Sequence, residues 1–150
     1  MFTQLARLLQ APQPQRQLPS AREAVAILLV EAARMDDTFG LDERAMIAHL
    51  LTQKFALSAE ECGKLLADSE ALSARMTQLH PYTHAIFEQM PMVERIELIE
   101  MLWDVAYADG VLDPEEDSLI RRIAGLIYVT DRDRVLARKK VLDRLAAKSS

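Results

Sequence analysis

The sequence predicts an all-α fold, a single domain of about eight helices, and three observations carry that prediction. Glycine fills only 4 of 150 positions and β-branched runs are few. Helix start and stop signals recur along the chain. The apolar residues of the longer segments fall at helical spacing. A hydrophobic content of 50% is enough to close a core without metals or disulfides.

Taken in order, residues 2–10 form a short amphipathic helix with Phe2, Leu5, Leu8 and Leu9 on one side, and residues 11–19 are a Pro/Gln-rich linker. The helical domain then occupies residues 20–150. Ser20 with Glu23 reads as a capping box, so a helix runs from Ala21 to about Asp37. A second spans about Asp42 to Lys54. Ser58 with Glu61 repeats the capping box and opens a longer helix to about Leu79, and His80-Pro81 begins a short segment that ends before Pro91. Residues 92–109, with Val93, Ile96, Ile99, Leu102, Trp103 and Ala106 at helical spacing, read as the central core helix. Asp113-Pro114-Glu115-Glu116 supplies an N-cap, a proline at the first position and a glutamate at the third. That helix reaches about Tyr128, and a last one covers Asp131 to Ala147.

Sliding the chain against itself until Glu43 falls on Glu116 reveals an internal repeat. At that single offset residues 31–36 fall on 104–109, Ile47 on Ile120, Leu50 on Ile123, Phe55 on Tyr128 and Ser58 on Asp131. The repeated unit is an apolar helix ending in Asp, a short acidic turn, and a helix whose first turn holds Glu.

Composition removes several classes of function. A net charge of -5 argues against a nucleic-acid partner, because phosphate binding needs a surplus of Lys and Arg. Cys62 has no second cysteine to pair with. Nothing at the start of the chain reads as a signal peptide, and no apolar run reaches the roughly 20 residues of a membrane span, so a cytoplasmic location is expected. His49, His80 and His84 lack a nucleophile partner. Phosphate-cradling glycine loops, CxxC and HExxH are absent from the sequence. A binding or scaffold protein is expected rather than an enzyme. His80 and His84, with Glu88 a turn later, present a metal-compatible face whose simpler reading is solvated polar side chains.

The acidic turns stand out. Between Glu94 and Asp117 nine carboxylates face one cation, Arg95, a local charge of -8. Glu100 and Asp104 lie one helical turn apart, where like charges repel, and Asp109 sits at a helix C-terminus, where the helix dipole disfavours an anion. Either the carboxylates are satisfied by turn amides, with Glu116 closing a capping box on Asp113, or they hold a hard cation such as Ca²⁺, Mg²⁺ or Mn²⁺. The spacing of Asp109, Gly110 and Glu116 excludes an EF-hand. The C-terminal segment from Asp131 carries seven Lys/Arg against three Asp. A solvated face is the simpler reading; pairing with the acidic helix, or docking of a partner's acidic surface, is the alternative.

These residues resemble a known pattern. Ala-Asp-Gly-Val-Leu-Asp-Pro-Glu-Glu at 108–116, after Trp103-Asp-Val-Ala-Tyr, is similar to the signature of the tellurite-resistance TerB family, and residues 33–43 resemble its first-half counterpart. The first copy departs from the pattern in carrying Asp36-Asp37, with its glycine delayed to Gly40. The resemblance, over roughly residues 20–135, implies two pseudo-repeated helical units whose carboxylates gather into one electronegative, metal-chelating site. That site would comprise Asp36 and Glu43 from the first copy and Asp109 and Glu116 from the second. It also implies a stress-response role, often near membranes, in which the domain binds a divalent cation or presents its acidic surface to a protein partner. The alternative is a structural adaptor with self-satisfied acidic turns.

Overall fold

The computed structural model describes residues 18–35 and 39–149, which contain seven helices and no strand. They are α1 (Ala21–Arg34), α2 (Leu41–Phe55), α3 (Ala59–Arg75), α4 (His80–Gln89), α5 (Met92–Ala106), α6 (Pro114–Leu126) and α7 (Asp131–Ser149). The expected helix at 2–10 lies outside the described residues, as does Asp36.

The start signals act where the sequence puts them. Ser58 Oγ accepts from the Glu61 amide at 3.1 Å and the Glu61 carboxylate accepts from the Ser58 amide at 3.0 Å, a reciprocal capping box that holds the Glu61 carboxyl below its ordinary range. At α1 the box is half built: Ser20 Oγ accepts from the Glu23 amide at 3.1 Å, while the Glu23 carboxylate takes the Ser20 hydroxyl at 3.2 Å. The Gln89 side chain then fastens the entry to α1, donating to the Pro19 carbonyl at 2.8 Å and accepting from the Ala21 amide at 3.1 Å.

One boundary moves. Helix α3 ends at Arg75 rather than near Leu79, because Met76 turns to an extended conformation and Leu79 is buried at the head of α4.

The helix at the centre is α1, not α5 as the periodicity suggested. Helix α1 packs against α2, α3, α4, α5 and α6, and every residue from Ala24 to Val30 is buried. An uninterrupted apolar run presents no polar face, so it is satisfied only when surrounded. Helix α5 packs against α1, α2, α6 and α7 and buries Leu98, Ile99, Met101, Leu102 and Trp103, but its glutamates require one edge to stay partly in water. Each Leu or Ile sealed in this core contributes about 1.5–3 kcal/mol.

Helices α2 and α6 both lean on the α1–α5 pair. Helix α3 covers α1 and α2, and α7 covers α5 and α6. Helices α2 and α6 also close alike. In α2 the Leu57 amide donates to the Thr52 carbonyl around Ala56 (φ 51°); in α6 the Val129 amide donates to the Ala124 carbonyl around Tyr128 (φ 62°). Both are Schellman closures that put a non-glycine residue in the left-handed region.

Candidate functional site in the acidic turns

The α5–α6 turn is built from backbone bonds with two aspartates as braces. The Ala108 amide donates to the Val105 carbonyl and the Gly110 amide to that of Tyr107. Gly110 then takes φ +85°, a conformation that a side chain would strain. Asp109 is exposed, and its Oδ1 accepts from the Val111 amide at 3.0 Å. Asp113 caps α6 by accepting from the Glu115 amide at 2.7 Å.

The Asp113 side chain takes the first-turn amide of Glu115 rather than that of Glu116, so it does not make its own half of a capping box. The Glu116 side chain is buried, 1% exposed. Glu43 occupies the same third position of α2, is 3% exposed, and accepts from the Gly40 amide at 2.6 Å. Glu43 and Glu116 thus turn inward at the positive ends of two different helices. The helix dipole favours an anion there, and burial demands that the charge be compensated.

Of the four carboxylates expected to share one site, Asp109 and Glu116 belong to the α5–α6 turn and its following helix, and Glu43 to the start of α2. Asp36 lies outside the described residues. Among the described residues, no three His, Cys, Asp or Glu side chains gather closely enough to hold a metal ion. Asp109 and Asp113 are engaged by backbone amides.

The acidic edge of α5 meets cations from two other helices. Lys54 of α2 lies 3.2 Å from Glu94 and 3.3 Å from Glu97. From α7, Lys140 lies 3.3 Å from Glu100 and Arg144 3.4 Å from Asp104. All of these but Glu94 border a groove of about 590 Å³ between α2, α5 and α7. Burial pushes the Asp104 carboxyl above its ordinary value and Glu100 adds to the push, against Arg144 and Lys148, which lower it.

Both readings of the basic segment hold in part on α7: Arg132, Lys139, Lys140, Arg144 and Lys148 are exposed, while some of its cations also meet α5. Val141 and Ala137 are buried, and Arg138 lies over Trp103 (5.4 Å to the ring centre) while its Nε donates to the Tyr107 hydroxyl at 2.7 Å. Several of the cations in the +4 segment complement the acidic helix inside the fold.

A second polar cluster was not anticipated. The Ser73 hydroxyl, buried on α3, donates to the Glu31 carboxylate of α1 and accepts from Arg34 Nη1 at 3.1 Å. Glu31 lines a cavity of about 350 Å³ together with Met35, Leu79, Glu115, Ser118 and Arg122, so this cavity reaches the first turn of α6. The available signal was the i, i+4 pair Ser69 and Ser73 in an otherwise apolar stripe; both are buried.

Among the described residues no helix is long and apolar enough to cross a membrane. No curated protein and no solved structure matches the chain. The family of tellurite resistance protein TerB matches residues 22–139, more than three quarters of the sequence and every helix from α1 into α7. The chain belongs to the TerB family.

Proposed function

We propose that this TerB-family chain is a cytoplasmic binding protein of a stress response, not an enzyme, and that its two acidic turns bind a divalent cation such as Ca²⁺, Mg²⁺ or Mn²⁺. The observation that carries the reading is the pair Glu43 and Glu116, each buried at the third position of its helix. We take the helix–acidic turn–helix units to be the halves of one duplicated structure. In support, α1, α2 and α3 pack among themselves as α5, α6 and α7 do. Asp36 and Glu43 would then supply one half of the oxygen set, and Asp109 and Glu116 the other. Hard cations prefer such carboxylate oxygens.

A second reading is favoured by the bonds from Val111 to Asp109 and from Glu115 to Asp113, which leave turn aspartates satisfied by amides. In that case the turns are structural and the chain is an adaptor for a protein partner. The acidic edge of α5 is a poor docking surface in either reading, since Lys54, Lys140 and Arg144 already face it.

Thermal unfolding after EDTA treatment, with each ion added in turn, separates the two. Cation binding to the folded state raises the midpoint by several degrees, and Asp109→Asn abolishes the rise. An unchanged midpoint at millimolar ion would sink the cation reading and leave the adaptor.

A further inference from the structure

Two of the three histidines in the chain lie on one face of α4, away from the acidic turns. His80 and His84 are four residues apart, their ring centres separated by 5.6 Å and their planes by 8°. Both line a cleft of about 300 Å³ between α4 and the end of α6, walled by Phe87, Leu126 and Tyr128. Glu88 stands one turn further on, its Oε1 3.9 Å from His84 Nε2.

We propose that His80 and His84 chelate one imidazole-preferring divalent ion, Zn²⁺, Ni²⁺ or Cu²⁺, at a site chemically distinct from the acidic turns. The spacing is the physical basis. Residues i and i+4 of a helix share a face. With metal–nitrogen bonds of about 2.0–2.1 Å, two coordinating nitrogens need approach only to about 3.3 Å. Rings already parallel on adjacent turns reach that separation by side-chain rotation, with no change in the backbone.

Glu88 has a defined part in this arrangement. A ligating histidine ordinarily gives its second ring N–H to a carboxylate, which fixes the tautomer and raises its basicity. Closing the 3.9 Å gap to His84 Nε2 would leave His84 Nδ1 for the metal. Glu88 is therefore a positioning residue, and water completes the coordination.

The surroundings suit a softer ion than the oxygen-rich turns do. Imidazole selects Zn²⁺, Ni²⁺ and Cu²⁺, whereas carboxylate and carbonyl oxygen suit Ca²⁺ and Mg²⁺. The cleft beside the imidazoles is aromatic, with Phe87 and Tyr128 ring centres 4.8 Å apart. Arg95, the cation over Phe87, donates from Nε to the Met90 carbonyl at 3.0 Å and from Nη1 to the Ile127 carbonyl at 2.7 Å. Tyr128 is held at φ 62° and is 65% exposed, which keeps its ring at the rim of this cleft.

Isothermal titration of the full chain with Zn²⁺, and then Ni²⁺ and Cu²⁺, tests the assignment. Wild type should take one equivalent at micromolar concentration. His80→Asn and His84→Asn should each weaken binding by at least about tenfold, Glu88→Gln by less, and Asp109→Asn not at all. Thermal melts of the ion-free variants, expected to match wild type at these exposed positions, show that folding is intact. As a second readout, Ni²⁺ should broaden the imidazole NMR signals of His80 and His84 before that of His49. Absence of binding below millimolar ion would overturn the proposal. So would unchanged affinity in the histidine variants, equal broadening of His49, or loss in Asp109→Asn.

Discussion

The first and second helical units share an order but are held in different ways. In the first, α1 is sealed by apolar contact from Ala24 to Val30, and the Glu31–Ser73–Arg34 cluster links it to α3. In the second, α5 keeps one acidic edge partly in water, and α7 is fastened to it by Lys140, Arg144 and the stack of Arg138 on Trp103. The same arrangement is thus reached once mainly by the hydrophobic effect and once with a large electrostatic share. The second way makes a unit more sensitive to pH and salt.

The largest test of that contrast is in the core. Leu28→Ala in α1, at a site with no exposure, should cost about 3–4 kcal/mol in urea denaturation. Met101→Ala, at the corresponding place in α5, should cost less, because that site is 5% exposed and its neighbours can close in. Equal losses would mean that α5 is as fully enclosed as α1.

Next in size is the fastening of α7. Arg138→Ala removes both the contact over Trp103 and the bond to Tyr107, and should cost about 1–2 kcal/mol. Salt up to about 1 M should leave most of that loss in place, since the guanidinium is packed against the rings; a loss that vanished in salt would point to long-range charge instead.

Smaller effects compare the two kinds of helix entry. Ser58→Ala, which opens the capping box of α3, should cost about 1 kcal/mol. Gly110→Ala should cost a similar amount because of its φ of +85° rather than through any clash, there being open space around an added methyl. Chemical denaturation of the two variants side by side would show whether a cap and a turn conformation weigh the same.

The smallest effect is a slope. The folded Asp104 carboxyl binds its proton more tightly than the unfolded one, so in this window the native state holds more protons. Its contribution is therefore most favourable below the ordinary value of 3.8 and is lost as pH rises through the raised folded value. Asp104→Asn should remove that downward component from a plot of stability against pH. An identical curve for the variant would place Asp104 in water.

Much of the fold was legible because its punctuation is local. Ser58 with Glu61, and Asp113 before Pro114, mark helix starts from a few adjacent residues. What was not legible depends on partners distant in sequence. The centrality of α1 follows from five helices converging on Ala24–Val30, and a run of apolar residues does not say what will surround it. The mating of α7 with α5 depends on Arg144 meeting Asp104 across 40 residues, although the opposite charges of the two segments allowed for it. Of the candidate site, Glu43 and Glu116 could be found through the repeat, but their burial could not, since glutamate at that helix position is ordinarily solvated capping chemistry.

Trp103, the one tryptophan of the chain, is 1% exposed beneath Arg138. Its indole is therefore a built-in optical gauge of the α5–α7 seam. While α7 is seated, the ring is shielded from water, and lifting the helix would hydrate the indole and shift its emission to the red even with α1 still enclosed. A change in emission that precedes the loss of helical circular dichroism would time the opening of this seam separately from the melting of the core.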